Sequence, residues 1–335
     1  MSEPHPWQQL LQMIIGSWVS RAISVAAKLR VADRLADGPR PAEELAAAAG
    51  VAPRPLYRLL RALAGVGVFA RDVDGRFRLN PLAEPLGEGG PESLRALAVM
   101  IGEEQDHCWD DLFETVRTGE TAFDRLYGRP VFAYLGEHPE QAEIFDAAMT
   151  GFSGRAMRAV LDAYDLSGVA TLADVGGGLG TNLAAALGRY PALRGLLFDR
   201  PHVVARARPR LEAAGVAGRC AVAGGDFFAA APGGADAYLL GHILHDWEDA
   251  QAGLILDNLR RAMPAGAKLL VVEYVLPEGD GAAFAKLLDL HMMVAIGGLE
   301  RTEAEYRRLL AAHGFRLTRV VPTAGDISVI EGVPA

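Results

Sequence analysis

Leu172-Ala173-Asp174-Val175-Gly176-Gly177-Gly178-Leu179-Gly180-Thr181 is a short strand pattern that runs into a cluster of glycines and then opens a helix. Glycine is required where the main chain turns sharply and a ligand approaches it closely, as between the first strand and helix of a nucleotide-binding α/β unit. Outward from this turn the pattern alternates. Strands are predicted at 171–175, 194–198, 219–223, 236–240 and 268–274, with helices at 181–189, 202–213 and 249–263 between them. Such alternation builds a doubly wound parallel sheet of the α/β class. A helix over 302–313 follows, with Thr302 and Glu305 as a capping box and Gly314 as its stop, and two last strands fit 315–322 and 326–332.

The acids around the glycine turn narrow the ligand. Asp199 closes the next strand, 23 residues after Gly176, near the spacing at which a carboxylate reaches ribose hydroxyls. The GxGxxG frame reads Gly176, Gly178 and then Thr181, so the last glycine of a dinucleotide fingerprint is absent. Asp174 stands two residues before the first glycine, where its charge would repel a pyrophosphate and suit a cation. S-adenosylmethionine is a sulfonium cation with an amino group and a ribose diol. Asp226, after the third strand, is placed to accept from the adenine amine, with Phe227 packing on the ring.

Asp174–Gly178, Phe198-Asp199-Arg200-Pro201-His202, Gly225-Asp226-Phe227-Phe228, His245-Asp246-Trp247 and Gly297-Gly298-Leu299-Glu300-Arg301-Thr302 follow one another in this order. Together they resemble the caffeate-type, plant-like O-methyltransferases and their bacterial relatives that methylate polyketide and other aromatic natural products. The resemblance covers nearly the whole chain. It implies a Rossmann-like methyltransferase sheet, S-adenosylmethionine held by Asp174, Gly176, Gly177, Gly178, Asp199, Asp226 and Phe227, and no metal. One departure stands out: many members carry Lys where this chain has Gly241, and that Lys brackets the adenine. His242 or Trp247 is the candidate substitute.

His245 follows the strand 236–240, at the carboxyl edge of the sheet where ligands of such folds sit. An imidazole there can take a phenol proton as the oxygen attacks a methyl group, with activity expected to rise with pH near the ordinary imidazole pKa. Glu273, ending the strand 268–274, and Glu300, before the capped helix, are both candidates to bond the far ring nitrogen and stabilise the imidazolium. The resemblance implies the same set, with His245 as base flanked by Glu273 and Glu300. It also points to apolar walls for an aromatic acceptor at Trp109, Phe113, Phe132, Phe145, Met149, Met292 and Met293, with Asp289 beside them.

The front of the chain reads differently. Residues 7–36 form one or two helices, apolar over a wide arc through Leu10, Leu11, Ile14, Ile15, Trp18 and Val19, which calls for a partner surface. Two short helices and a hairpin around Asp74-Gly75 follow, in the order of a winged helix. Further helices are predicted at 92–118, 130–149 and 150–164. The Gly/Pro/Glu-rich stretch Pro85–Pro91 suggests a boundary between a dimerisation domain, 1–90, and a region, 91–335, holding the acceptor pocket and the methyltransferase sheet. In the family this module pairs two subunits, so a homodimer is expected.

Composition excludes other classes. Of 335 residues, half are apolar and 22% charged, which rules out a disordered chain. No run of 18 uncharged apolar residues occurs, and the stretch Leu269–Leu276 is broken by Glu273, so no membrane span is expected. The start of the chain lacks a signal-peptide pattern, and two cysteines make neither a disulfide framework nor a zinc site, which fits the cytoplasm. A net charge of −9 argues against nucleic acid as a partner. Residues 1–80 nonetheless carry eleven Lys/Arg against seven Asp/Glu, with Arg54, Arg58 and Arg61 on one helix, so a winged-helix regulator is a rival reading. An NAD-dependent oxidoreductase is a second, and a hydroxylase or decarboxylase on the same scaffold a third.

Overall fold

The structure, a computed structural model, describes residues 5–89, 93–281 and 283–335. The chain's first four residues and the end of the stretch Pro85–Pro91 lie outside these. Contacts divide the chain into two compact units, residues 1–107 with 138–152, and residues 108–137 with 153–335.

The first unit opens on helices Pro6–Ile14 and Gly16–Lys28. His5 caps the first, its side chain accepting from the Trp7 N–H. That helix buries none of its residues: Trp7, Leu10, Met13 and Ile14 are exposed, and so is Trp18 on the next. No single helix among the described residues is long and apolar enough to cross a membrane; the first two pass such a test only as a pair, bent by 42°. Helices Ala42–Ala49 and Pro53–Gly65 precede a hairpin of strands β1 (Ala70–Arg71) and β2 (Phe77–Arg78). Leu56, Leu60 and Leu63, at helical spacing, turn inward onto Leu45, Phe69 and Phe77. Arg61 and Arg71 lie over the Tyr57 ring.

The second unit is built on a sheet of eight strands. Parallel strands β3 (Thr171–Val175), β4 (Arg194–Asp199), β5 (Cys220–Gly224), β6 (Ala237–Gly241) and β7 (Lys268–Leu276) stand in the order 5-4-3-6-7. A short strand β8 (Arg301–Thr302) pairs with the end of β7, and β9 (Phe315–Pro322) and β10 (Ile327–Pro334) extend the sheet antiparallel in the order 7-10-9. Strand order reverses between β3 and β6, which in open α/β sheets opens a crevice at the carboxyl ends. Both faces are covered. Leu240, Ile255, Leu259, Val271, Tyr306 and Leu310 fill one side; Leu172, Leu183, Leu187, Leu197 and Leu211 fill the other. That is why the parallel strands read as continuous apolar runs.

The differences from expectation are local. The predicted 92–118 helix is three, Arg95–Ile101, Glu104–Asp110 and Leu112–Thr118. In 202–213 the helix breaks into Pro201–Val204 and Arg208–Ala213. Pro139–Ala163 runs unbroken through Gly151 and Gly154, where a break was expected; Gly151 is needed there because the Ser93 carbonyl approaches too closely for a Cβ. The helix Phe284–His291 and the π-helical turn Met292–Ile296, closed by left-handed Gly297, had no periodic signal of their own.

Candidate active site

The glycine turn and the ends of β3, β4 and β6 meet at the reversal of strand order. Gly178 is left-handed, with φ of 57°, and a Cβ there would meet only open space, so the turn is hollow on that side. Its N–H donates to Asp199 Oδ2 at 2.8 Å, and the Arg200 N–H donates to Oδ1 at 2.6 Å. Asp199 is thereby aimed across the turn with lone pairs to spare. Asp174 is fully buried, and neither carboxyl oxygen has a hydrogen-bond partner among the described residues. Burial, together with the Asp199 charge, pushes its pKa up to about 7. Burial also raises Asp199. Two acids crowded together, one buried without a partner and only the other offset by the Arg200 charge, suit a cation, and the residues fit S-adenosylmethionine in this respect.

Asp226 is exposed, its Oδ1 accepting the Phe228 N–H at 2.9 Å. Trp247 is enclosed by aromatic rings, with centroids 5.6 Å from Phe132, 6.3 Å from Phe227 and 4.8 Å from Phe228. Its Nε1 is buried without a partner among the described residues, which leaves a donor for a ligand beside Phe227. At Gly241 a Cβ would come within 2.8 Å of the Asn182 amide, so the departure from Lys makes room for Asn182. His242, at φ 57°, carries its ring beside His245 and Tyr274, with centroids 5.3 and 6.0 Å away. Burial, then the His245 charge, lowers its pKa to about 3.

His245 sits on a single helical turn, Leu244–Asp246, just past β6. Its Nδ1 is 2.7 Å from Glu300 Oε1, and its Nε2 is 3.5 Å from Asp246 Oδ1. Burial opposes its charge, but the carboxylates of Asp246, Glu300 and Glu273 outweigh that and raise its pKa to about 10, well above the ordinary value expected for the base. Asp246 rises to about 7, through burial opposed by the His245 charge. Glu300 is raised too, by burial. Among the described residues no group of three or more His, Cys, Asp or Glu is arranged to hold a metal.

Glu273 does not bond the imidazole. Its Oε1 accepts the main-chain N–H groups of Ile243, Leu244 and His245 at 3.1, 2.6 and 3.2 Å, and its Oε2 accepts the Tyr306 hydroxyl. The carboxylate thus holds the backbone of the turn that presents the base, and Glu300 alone of the two reaches the ring.

Three further ties complete that turn. Arg301, 1% exposed, donates to the carbonyls of Leu244 and Trp247 at 3.0 and 2.8 Å and to Asp249 at 2.9 Å. The Leu299 N–H donates to the His245 carbonyl at 2.9 Å, and a Cβ on Gly298 would strike that same carbonyl. Asp289 accepts the Glu300 N–H at 2.8 Å, so it orients the residue that orients the base. The roles of Arg301, Tyr306 and Asn182 were not read from the sequence. Only Arg301 lay in a motif that marked it.

The acceptor-wall candidates separate. The Trp109 indole N–H donates to His291 Nδ1 at 3.1 Å. Met292 is buried, and Met293 packs on the cluster of Cys108, Phe123 and Val294. Phe113 is 74% exposed and shares an outward face with Val116, three residues on, while Thr115 turns in. Phe145 and Met149 are partly buried on the part of Pro139–Ala163 that belongs to the first unit.

Comparison with known proteins gives the family. Residues 11–88 match the O-methyltransferase dimerisation domain and 109–316 the O-methyltransferase domain. The chain belongs to this O-methyltransferase family. It is 49% identical to a phenazine O-methyltransferase of Lysobacter antibioticus, over 97% of this chain and 95% of that one. It is 40% identical to the O-demethylpuromycin O-methyltransferase of Streptomyces alboniger, over 98% and 89%. The crystal structure of an O-methyltransferase from neocarzinostatin biosynthesis, solved with S-adenosylmethionine and 2-hydroxy-5-methyl naphthoic acid, superposes with a TM-score of 0.81 at 34% identity, covering 94% of this chain and 96% of that one.

Proposed function

We infer that the chain transfers the methyl group of S-adenosylmethionine to a hydroxyl of an aromatic small molecule of the polyketide or phenazine type. The observation that carries this is the buried His245–Glu300 pair at the carboxyl end of β6, on the same sheet edge as the hollow glycine turn. When bound, S-adenosylmethionine supplies an electrophilic methyl carbon on a sulfonium, open to displacement by the acceptor oxygen.

His245 takes the acceptor proton on Nε2, while Glu300 holds Nδ1 and carries the charge that develops. A base with a pKa of about 10 matches a phenol of about 10, so the proton moves between them with little change in free energy. Asp246 shares the imidazolium charge, and Glu273 fixes the turn. Asp174, Gly176, Gly177, Gly178, Asp199, Asp226, Phe227 and Trp247 hold the cofactor; Trp109, Phe132 and Met292 wall the acceptor. Incubation with S-adenosylmethionine and a panel of hydroxylated polycyclic aromatics, followed by mass spectrometry, tests the reading. Gain of one methyl on oxygen supports it; a panel returned unchanged, or changed by oxygen insertion, counts against it.

Asp199→Ala is expected to weaken S-adenosylmethionine binding at least tenfold, about 1.5–3 kcal/mol for a charge-assisted pair. An unchanged calorimetric affinity would remove Asp199 from the site.

We assign residues 1–90 to dimerisation and 91–335 to catalysis, with the cytoplasm as compartment, which its two free thiols suit. The exposed Trp7, Leu10, Met13, Ile14 and Trp18 supply the apolar face of a homodimer whose interface is expected to bury more than about 2,000 Å². Sedimentation at micromolar concentration should show one dimeric species, and a stable monomer would defeat this assignment.

A further inference from the structure

The Trp109–His291 pair does chemistry that the base and cofactor residues leave unexplained. The two rings are within 17° of coplanar with centroids 6.2 Å apart, the geometry of an in-plane N–H···N bond rather than of stacking. An indole nitrogen only donates, so His291 Nδ1 must accept, and a neutral imidazole then carries its proton on Nε2. Burial and the nearby His245 charge hold His291 neutral by lowering its pKa to about 4. No group among the described residues bonds the Nε2 atom.

His291 also stands between a residue tied to Glu300 and one of the proposed acceptor walls. It ends the helix Phe284–His291, two residues after Asp289, which bonds the Glu300 N–H, and it starts the π-helical turn that carries Met292.

We propose that His291, locked by Trp109 into the Nε2–H tautomer, donates a hydrogen bond to a lone pair on the acceptor's ring system, so that the enzyme selects hydroxylated aromatics bearing a ring nitrogen or carbonyl. This rests on the methyl-transfer reading above and adds the acceptor's second recognition point. A side chain that can only donate rejects an acceptor lacking the lone pair, because its proton is then left unpaired in a partly dry site.

The test uses the full-length enzyme with S-adenosylhomocysteine, which carries no transferable methyl. Calorimetry compares a monohydroxylated phenazine with the hydroxyanthracene of matching shape. Wild type should prefer the phenazine, and His291→Phe should lose at least tenfold of that preference. His291→Gln, whose amide N–H lies near the position of Nε2, should keep most of it. Trp109→Phe, which frees the tautomer, should lower it severalfold, and it carries the test if His291→Phe does not fold. In wild type the ¹⁵N shifts of His291 should report a protonated Nε2. The same preference in wild type and His291→Phe, or a protonated Nδ1, overturns the proposal. A preserved preference with no methylation when S-adenosylmethionine replaces its product would instead count against the methyl-transfer reading alone.

Discussion

His245→Ala should lower kcat by roughly 10²–10⁴-fold, the range that a positioned acid–base group supplies. Affinity for S-adenosylmethionine, measured by calorimetry, should change little, because Asp174, Asp199 and the glycine turn are untouched. Glu300→Gln should cost less, and adding it to His245→Ala should cost little more, since the two act as one unit. The pH profile gives the sharper check. As the proposed base, His245 must first lose its proton, and the surrounding carboxylates raise its pKa from 6.5 to about 10. In wild type kcat/KM should therefore keep rising with pH past neutrality, well above the ordinary imidazole range, and in His245→Ala only the shallower rise from the acceptor's own ionisation should remain. An acceptor whose phenol ionises below a pKa of about 8 needs the base less, and the mutational loss should shrink with it. Wild-type turnover of an ordinary phenol by His245→Ala would show that positioning alone carries the reaction.

Glu273→Ala should be the most damaging substitution to stability at the site. It strips the partner from three buried N–H groups and the Tyr306 hydroxyl in one step. Each orphaned group costs about 1–3 kcal/mol, and relaxation and entering water reduce the sum, so a loss of about 3–5 kcal/mol is expected. The melting transition should fall by roughly 10 °C, scaling from domains of comparable size. Amide exchange at residues 243–245 should quicken more than elsewhere on the sheet. Glu273→Gln, which keeps a carbonyl to accept the N–H groups, should lose far less. Equal melting and equal exchange in Glu273→Ala and wild type would show that the carboxylate does not hold the turn.

The sheet and the cofactor turn were legible because their signals are local. Asp174 to Gly178 states its geometry within five consecutive residues, and Asp199 follows at a spacing set by one helix and one strand. The partner of His245 was legible only as a pair of acids, Glu273 or Glu300. Choosing between them needs the contact between β7 and the turn after β6, nearly thirty residues apart, which no periodicity encodes. The same holds for Arg301, whose full burial depends on three carbonyl and carboxylate partners brought from elsewhere. Phe113 was named only through the family resemblance, and its own stretch of sequence did not show that it lies on the exposed face with Val116 while Thr115 is buried. The helix break at residues 205–207 and the unbroken passage through Gly151 carried no local signal either.

The main chain of the turn carrying His245 is tied down by residues from three other places in the chain: Glu273 on β7, Leu299 before β8, and Arg301 on β8. Those anchors belong to the sheet and its adjoining loop, whereas Trp109, Phe132 and Met292 ride on helices and turns outside it. On the proposed reading, the turn carrying His245 is held mainly from the sheet, and the acceptor walls reach it through few links, Asp289 on Glu300 among them. If those walls select the acceptor as proposed, changes on the helices that leave Asp289 in place should alter substrate choice while the His245 turn keeps its anchors.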